Sequence, residues 1–158
     1  MKKNNGHAIC LAHGIRYCLK NYEFDYCVAV DGDGDRLVLS DAKGTIFTGD
    51  DILYTLASRN KMIGKEQSES VIGTTMSNQG VVEALGKLGI SFLRTDVGDK
   101  YISRELVKRD LNVGAEPSGH IIQSEFSESG DADIALIQTL AALQELDTTI
   151  EEIKKNIN

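Results

Sequence analysis

A chain of 158 residues with 41% hydrophobic residues is long enough for one domain, or for one domain plus part of another, and too short for a long multidomain enzyme. Its 24 acidic residues against 17 lysines and arginines leave a formal charge of -7. That balance argues against nonspecific nucleic-acid or anionic-membrane binding and suits a cation as partner. No apolar run approaches the ~20 residues of a membrane span, and Met1-Lys2-Lys3 leads into polar Asn4-Asn5 rather than a signal-peptide core, so a cytoplasmic location is expected.

Ala8, Leu11, Ala12, Ile15, Cys18 and Leu19 recur at helical spacing and predict a first core-packing helix, interrupted by Gly14. The three cysteines, Cys10, Cys18 and Cys27, are odd in number and lack CxxC spacing. They read as buried free thiols rather than a disulfide framework or a zinc site. The apolar run Tyr26-Cys27-Val28-Ala29-Val30 then predicts a strand.

At the end of that strand stands Asp31-Gly32-Asp33-Gly34-Asp35-Arg36, three carboxylates alternating with two glycines. In a straight strand, residues two apart lie roughly 6.6 Å from one another, too wide for oxygens that all sit about 2.1 Å from one Mg²⁺. Gly32 and Gly34 let the chain bend, so that Asp31, Asp33 and Asp35 can converge as metal ligands. The plainer alternative is a solvated acidic turn, which Asp and Gly also favour. A calcium-binding EF-hand loop is excluded, because its sixth and twelfth positions would be Arg36 and Ala42 in place of Gly and Glu. A haloacid-dehalogenase-like phosphatase also places Asp-x-Asp after an apolar strand. Asp50-Asp51 could imitate its later acidic motif, although too little chain separates the two, and this stands as the alternative.

Leu37-Val38-Leu39 and Thr45-Ile46-Phe47 flank a turn over residues 40–44 and predict a hairpin. Asp50-Asp51 before Ile52, Leu53, Leu56 and Ala57 predicts an acid-capped helix, with a domain boundary near Thr48. A polar connection over residues 60–70 leads to a strand at residues 71–76. Ser77-Asn78 offers a cap for a helix carrying Val81, Val82, Leu85 and Leu88, which Gly89 ends. A strand at residues 90–93, a charged loop at 96–100 and a helix around Ile102, Leu106 and Val107 follow. Two short strands then flank the turn Glu116-Pro117-Ser118-Gly119-His120, which holds the only proline. Glu116 and Ser118 can face the same way there and suit neighbouring sugar hydroxyls, although an ordinary Pro-Ser-Gly turn fits the spacing equally. Ser127 to Asp131 form a loop, Ile134, Ile137 and Ala141 one face of a helix, and Thr148 with Glu151 a capping box for a short last helix. The alternation of strands and helices predicts an α/β fold with helices on both sheet faces.

Taken together these motifs resemble the α-D-phosphohexomutases, and within them the bacterial phosphoglucosamine mutase branch. The acidic loop is similar to that family's metal-binding loop. Ile72-Gly73-Thr74-Thr75-Met76-Ser77-Asn78 and Val97-Gly98-Asp99-Lys100-Tyr101 resemble stretches of the phosphoglucosamine branch, and Gly114-Ala115-Glu116-Pro117-Ser118-Gly119-His120 resembles its sugar-binding loop. Gly130-Asp131 falls where the family has a Thr-Gly-Asp turn. The resemblance implies a three-layer α/β/α domain with a mixed sheet over residues 49–158, preceded over residues 1–48 by the incomplete end of a similar second domain.

The implied activity is that of an isomerase moving a phosphoryl group on a hexosamine phosphate by way of a bisphosphate, with Mg²⁺ on Asp31, Asp33 and Asp35. Glu116, Ser118, His120, Arg36 and Lys100 are the implied substrate-binding set. For His120 a structural role is the alternative, and for Arg36 a plain ion pair with one of the aspartates. The branch usually carries lysine at the position of Asp96 and arginine at that of Lys100, so charge beside the substrate is altered here. The family's phosphoserine lies in a Ser-His-Asn-Pro context and its phosphate loop reads Arg-x-Ser-Gly-Thr; neither motif occurs in this sequence. The expectation is a chain that packs against further phosphohexomutase domains and is inactive alone, or a noncatalytic remnant that binds Mg²⁺ or a sugar phosphate.

Overall fold

The computed structural model describes residues 8–157. Helix α1 (Ala8–Asn21) leads into strands β1 (Tyr26–Val30), β2 (Leu37–Asp41) and β3 (Ile46–Phe47), an antiparallel sheet in the order β1-β2-β3. The β2–β3 turn closes on Asp41, whose carboxylate accepts from the Lys43 and Thr45 amides at 2.9 and 2.8 Å. The two faces of this sheet go to different places. Cys27 and Val38 pack with Ile15 of α1, whereas Leu37, Leu39 and Phe47 join the large core of the rest of the chain.

That rest begins with α2 (Gly49–Met62) and continues through β4 (Ser70–Thr74), α3 (Gln79–Lys87), β5 (Ser91–Thr95), α4 (Asp99–Arg109), β6 (Val113–Ala115), β7 (Ile121–Gln123), α5 (Ala132–Glu145) and α6 (Ile150–Ile157). The sheet order is β5-β4-β6-β7, with the first three strands parallel and β7 antiparallel to β6. Alternation along β4 sorts its side chains: Val71 enters the core under α2, α3, α5 and α6, and Ile72 packs on the opposite face with Ile102 and Leu106 of α4. Helices thus cover both faces and give the three-layer α/β/α arrangement with a mixed sheet that the sequence implies.

Several local expectations shift. The polar stretch after residue 60 begins inside α2, and the strand expected to reach residue 76 ends at Thr74, because the Ser77 amide folds back to the Thr74 carbonyl at 3.1 Å. On α5 the buried positions are Ala132, Ala135, Thr139, Ala142 and Leu143, and Ile137 is 64% exposed. Small side chains on that face allow close packing against α2. The last capping box is Thr149 with Glu152, one residue later than Thr148 with Glu151: Thr149 N–H donates to Glu152 Oε2 at 2.9 Å and Glu152 N–H to Thr149 Oγ1 at 3.3 Å. Glu151 instead pairs with Lys43 and Lys155. Cys27 is buried and Cys18 half-buried, both as free thiols, while the side chain of Cys10 lies outside the described residues.

The two sheets are joined at backbone level. Leu37 N–H donates to the Gly119 carbonyl at 3.1 Å, and Arg36 and His120 form an antiparallel bridge. Gly119 sits at φ 97°, and a Cβ there would lie 2.1 Å from the Leu37 carbonyl oxygen. Gly119→Ala is therefore expected to lower stability by about 3 kcal/mol in urea unfolding. Gly86→Ala on α3, where a Cβ meets nothing within 4 Å, is expected to raise it by about 0.5 kcal/mol. Equal effects of the two changes would refute the close-approach account.

Candidate functional site

The acidic loop hangs from the β1–β2 hairpin, whose last paired residues are Val30 and Leu37. Asp31 closes it from both ends: its N–H donates to the Arg36 carbonyl at 3.3 Å, its carbonyl accepts from Gly34 N–H at 3.3 Å, and its Oδ1 accepts from Arg36 N–H at 3.1 Å. Gly34 makes the turn at φ 77°. The bend expected from the Asp-Gly spacing is thus present, and ligand atoms of Asp31, Asp33 and Asp35 lie within 4.8 Å of one another. Oxygens that share a Mg²⁺ at about 2.1 Å can be at most about 4.2 Å apart, so these carboxylates need to draw together by no more than about 0.6 Å to hold one. Among the described residues this is the one such cluster of His, Cys, Asp or Glu.

The donor set also fits a cation chemically. Asp35 Oδ1 is buried and has no hydrogen-bond partner. Burial first, and the adjoining Asp31 and Asp33 carboxylates next, hold the Asp35 carboxyl above the usual range, while His120 works in the opposite direction. A divalent ion would meet the orphaned oxygen and offset the repulsion.

His120 reaches this loop from the other sheet. Its ring is almost fully buried, and Nδ1 lies 3.1 Å from Asp35 Oδ2. Nε2 is buried without a partner, and Gly130 lies against the ring, where a Cβ would come within 2.5 Å of Cε1. Arg36 is held through its backbone; among the described residues its guanidinium makes no ion pair, and Nε is buried and unbonded.

Glu116 and Ser118 occupy the β6–β7 loop at the C-terminal end of the parallel strands. The chain crosses from β4 to β5 on one side and returns past β4 to β6 on the other, so the loop stands where the strand order reverses, the place such sheets offer a ligand. Glu116 is 8% exposed. Its Oε1 accepts from Gly98 N–H at 2.9 Å, and the Ser118 hydroxyl lies 3.4 Å from Oε2. The carboxylate and hydroxyl therefore sit together, one carboxylate oxygen already committed to the β5–α4 loop. Lys100 is exposed in the first turn of α4, its Nζ 4.9 Å from the Tyr101 ring centre. Asp96 is exposed in the loop between β5 and α4.

Asp50 and Asp51 take no part in the carboxylate cluster. Asp51 Oδ2 accepts from Thr48 N–H at 2.6 Å and from Lys154 at 2.9 Å, while Asp50 accepts from Asn78 N–H at 2.8 Å. Their engagement elsewhere gives the phosphatase alternative no support. Arg94 escaped the sequence reading: its guanidinium ties the Thr74 and Ser77 carbonyls at 2.9 and 3.0 Å and so fixes the β4–α3 turn beside Asp50. A lone arginine late in a strand carries no signal of such a role.

A mixed sheet between helix layers, with polar loops at its C-terminal edge, defines a three-layer α/β/α domain. Residues 48–158 match the family model described as phosphoglucomutase/phosphomannomutase, alpha/beta/alpha domain III, and the chain belongs to that family. It is 42% identical to a phosphoglucosamine mutase of Hahella chejuensis over 98% of this chain and 35% of that protein, and 44% identical to one of Psychrobacter cryohalolentis over 83% and 28%. The chain spans about a third of the length of these relatives. In fold it resembles an Aspergillus fumigatus N-acetylphosphoglucosamine mutase solved with GlcNAc-6P and magnesium, with TM-score 0.68, 21% identity and coverage of 90% of this chain and 36% of that one.

One prediction follows from Asp50. Burial lifts its carboxyl above the usual range, against the Asn78 amide, the Ser77 hydroxyl and Arg94. The folded state therefore holds that proton more tightly than the unfolded one, and stability from Asp50 is present at acid pH and lost as pH rises through the raised pKa. Asp50→Asn should gain on the parent in urea midpoints from about pH 4 to neutrality. A parent that gains on the variant over that range would overturn the assignment.

Proposed function

We propose that this chain is part of a phosphoglucosamine mutase-type isomerase, interconverting glucosamine 6-phosphate and glucosamine 1-phosphate through a bisphosphate for amino-sugar and cell-wall precursor synthesis. The observation that carries the reading is the backbone junction between the acidic loop and the Glu116–His120 loop, which holds a cation-fitting carboxylate cluster beside a carboxylate–hydroxyl pair. In this reading residues 1–48 end a second domain and carry the metal loop, and residues 49–158 form a third domain and carry the sugar loop. The relatives' shared name supports it.

Asp31, Asp33 and Asp35 would hold Mg²⁺, as the magnesium of the Aspergillus complex supports. When bound, the ion supplies positive charge against the phosphoryl oxygens. His120 keeps Asp35 oriented through the Nδ1 contact. Glu116 presents Oε2 to one sugar hydroxyl while Gly98 restrains Oε1, and Ser118 donates to or accepts from the next. Arg36 and Lys100 bring cations to the phosphate, Lys100 without the bidentate fork an arginine would offer.

Calorimetry should find weak Mg²⁺ binding by the parent chain, reduced at least about tenfold in Asp33→Asn and about tenfold in His120→Ala. Unchanged binding in Asp33→Asn would leave the loop a plain acidic turn.

With glucosamine 6-phosphate, amide shifts should concentrate at Glu116, Ser118, Gly119 and Gly98, and the chain alone should give no 1-phosphate even with Mg²⁺ and glucosamine 1,6-bisphosphate. Positioning and charge speed a transfer only where a phosphoryl donor already stands. Shifts confined to other loops would count against the sugar site. Turnover that survives repurification and is lost in Asp33→Asn would require a nucleophile within this chain.

A further inference from the structure

The first sheet has an open edge. Its order is β1-β2-β3, and among the described residues no strand pairs with the outer side of β1. The register identifies the backbone groups that this side presents. Asp31 N–H donates to the Arg36 carbonyl, so these two form a hydrogen-bonded pair, and the alternation of an antiparallel ladder makes Ala29 with Val38 and Cys27 with Ser40 the next ones. Leu37 and Asp41 agree, because their N–H groups turn away from β1 to the Gly119 and Thr45 carbonyls. Tyr26, Val28 and Val30, which stand opposite Asp41, Leu39 and Leu37, therefore direct their N–H and C=O groups to the open side. Cys27 and Ala29 face α1, so the side chains of Tyr26, Val28 and Val30 share the other face of the sheet, where they are 36–40% exposed. The usual guards of an edge are a charge, a proline or a bulge, and Tyr26–Val30 contains none of them.

We propose that β1 pairs with β1 of a second copy of this chain, antiparallel about a two-fold axis at Val28, so that the two sheets become one. The spacing of the outward groups selects this occupant. Positions 26, 28 and 30 are symmetric about 28, so the axis sets Val28 against its own copy and Tyr26 against Val30 in both directions, and every outward residue enters a hydrogen-bonded pair. Moving the axis by one residue leaves Tyr26 or Val30 without a partner in the opposite strand. A foreign strand has to supply the matching spacing, whereas a second copy brings it by symmetry. Tyr26 beside Val30 is also an aromatic–β-branched cross-strand pair, and the exposed apolar stripes of the two copies run together.

Two features limit the strength of the contact. At each end the axis brings Asp25 opposite Asp31, so like charges resist pairing and salt relieves them. A strand of five residues is roughly 17 Å long and offers less than the about 800 Å² per partner of a stable interface. Monomer and dimer therefore interchange with concentration. The contact uses neither the metal cluster nor the sugar loop as a binding site and is independent of the proposed activity.

Sedimentation of the full chain over a range of concentrations tests this. The weight-average mass should rise from 17.2 kDa toward twice that value, and the dissociation constant should fall at least about threefold between about 20 mM and about 200 mM NaCl. Hydrogen exchange reads the register: the Cys27 and Ala29 amides should be protected at every concentration, while those of Tyr26, Val28 and Val30 should gain at least about tenfold protection only where the dimer forms. Val28→Pro removes an N–H that β2 does not use, so it should abolish the dimer and leave the fold standing. Val28→Lys places two like charges at the axis and should do the same. A parent that stays monomeric throughout would overturn the proposal and leave the edge to a strand of another origin. So would a dimer that both variants retain, because its contact would lie on a different face.

Discussion

The junction of Leu37 with Gly119 governs the geometry of everything near the acidic loop. Leu37 buries its side chain completely in the large core, which fixes its backbone, and that backbone donates to the Gly119 carbonyl. The register continues one residue earlier, where Arg36 bridges His120, and then passes to side chains, where His120 meets Asp35. Hydrophobic burial in one place therefore sets carboxylate orientation in another. A loop that ends a different sheet gains a fixed relation to the β6–β7 loop through three successive residues, 35, 36 and 37.

Charge is managed locally rather than by the molecule as a whole. The chain is acidic, yet its buried or half-buried carboxylates each have a distinct environment. Asp51 is neutralised by Lys154 and by backbone and hydroxyl donors. Asp50 takes an amide and leans on Arg94 only at a distance. Asp35 has His120 on one oxygen and nothing on the other. Of these, Asp35 is the carboxylate whose unmet oxygen belongs to a cluster able to surround a cation, which separates a ligand site from structural ion pairing.

Much of this was legible in the sequence because the signals were local. The Asp-Gly alternation required a bend, Asn78 and Gly89 bounded α3 as capping chemistry demands, and the apolar positions of α2 fell on the core. What stayed hidden depended on contacts distant along the chain. His120 to Asp35, Asp50 to Asn78 and Arg94 to the β4–α3 turn join residues far apart in sequence, and no periodicity encodes them. The buried face of α5 was misread for a related reason: isoleucines marked it by hydrophobicity, but close packing against α2 selected the alanines. The capping box slipped one residue because Thr148 and Thr149 both offer a hydroxyl, and Glu152 receives from both.

The core shared between the two sheets bears on how the chain comes apart. Leu37, Leu39 and Phe47 precede the segment that matches the family's third domain, yet they sit in the same apolar cluster as α2, α5 and α6. The unit of cooperativity therefore does not stop where the family match begins. Amides of β2 should exchange with solvent on the timescale of global opening, together with those of β4 and β6, while α1, seated on its own small cluster, can open separately. Dissecting the chain at Thr48 would remove a wall of the core rather than a neighbouring module.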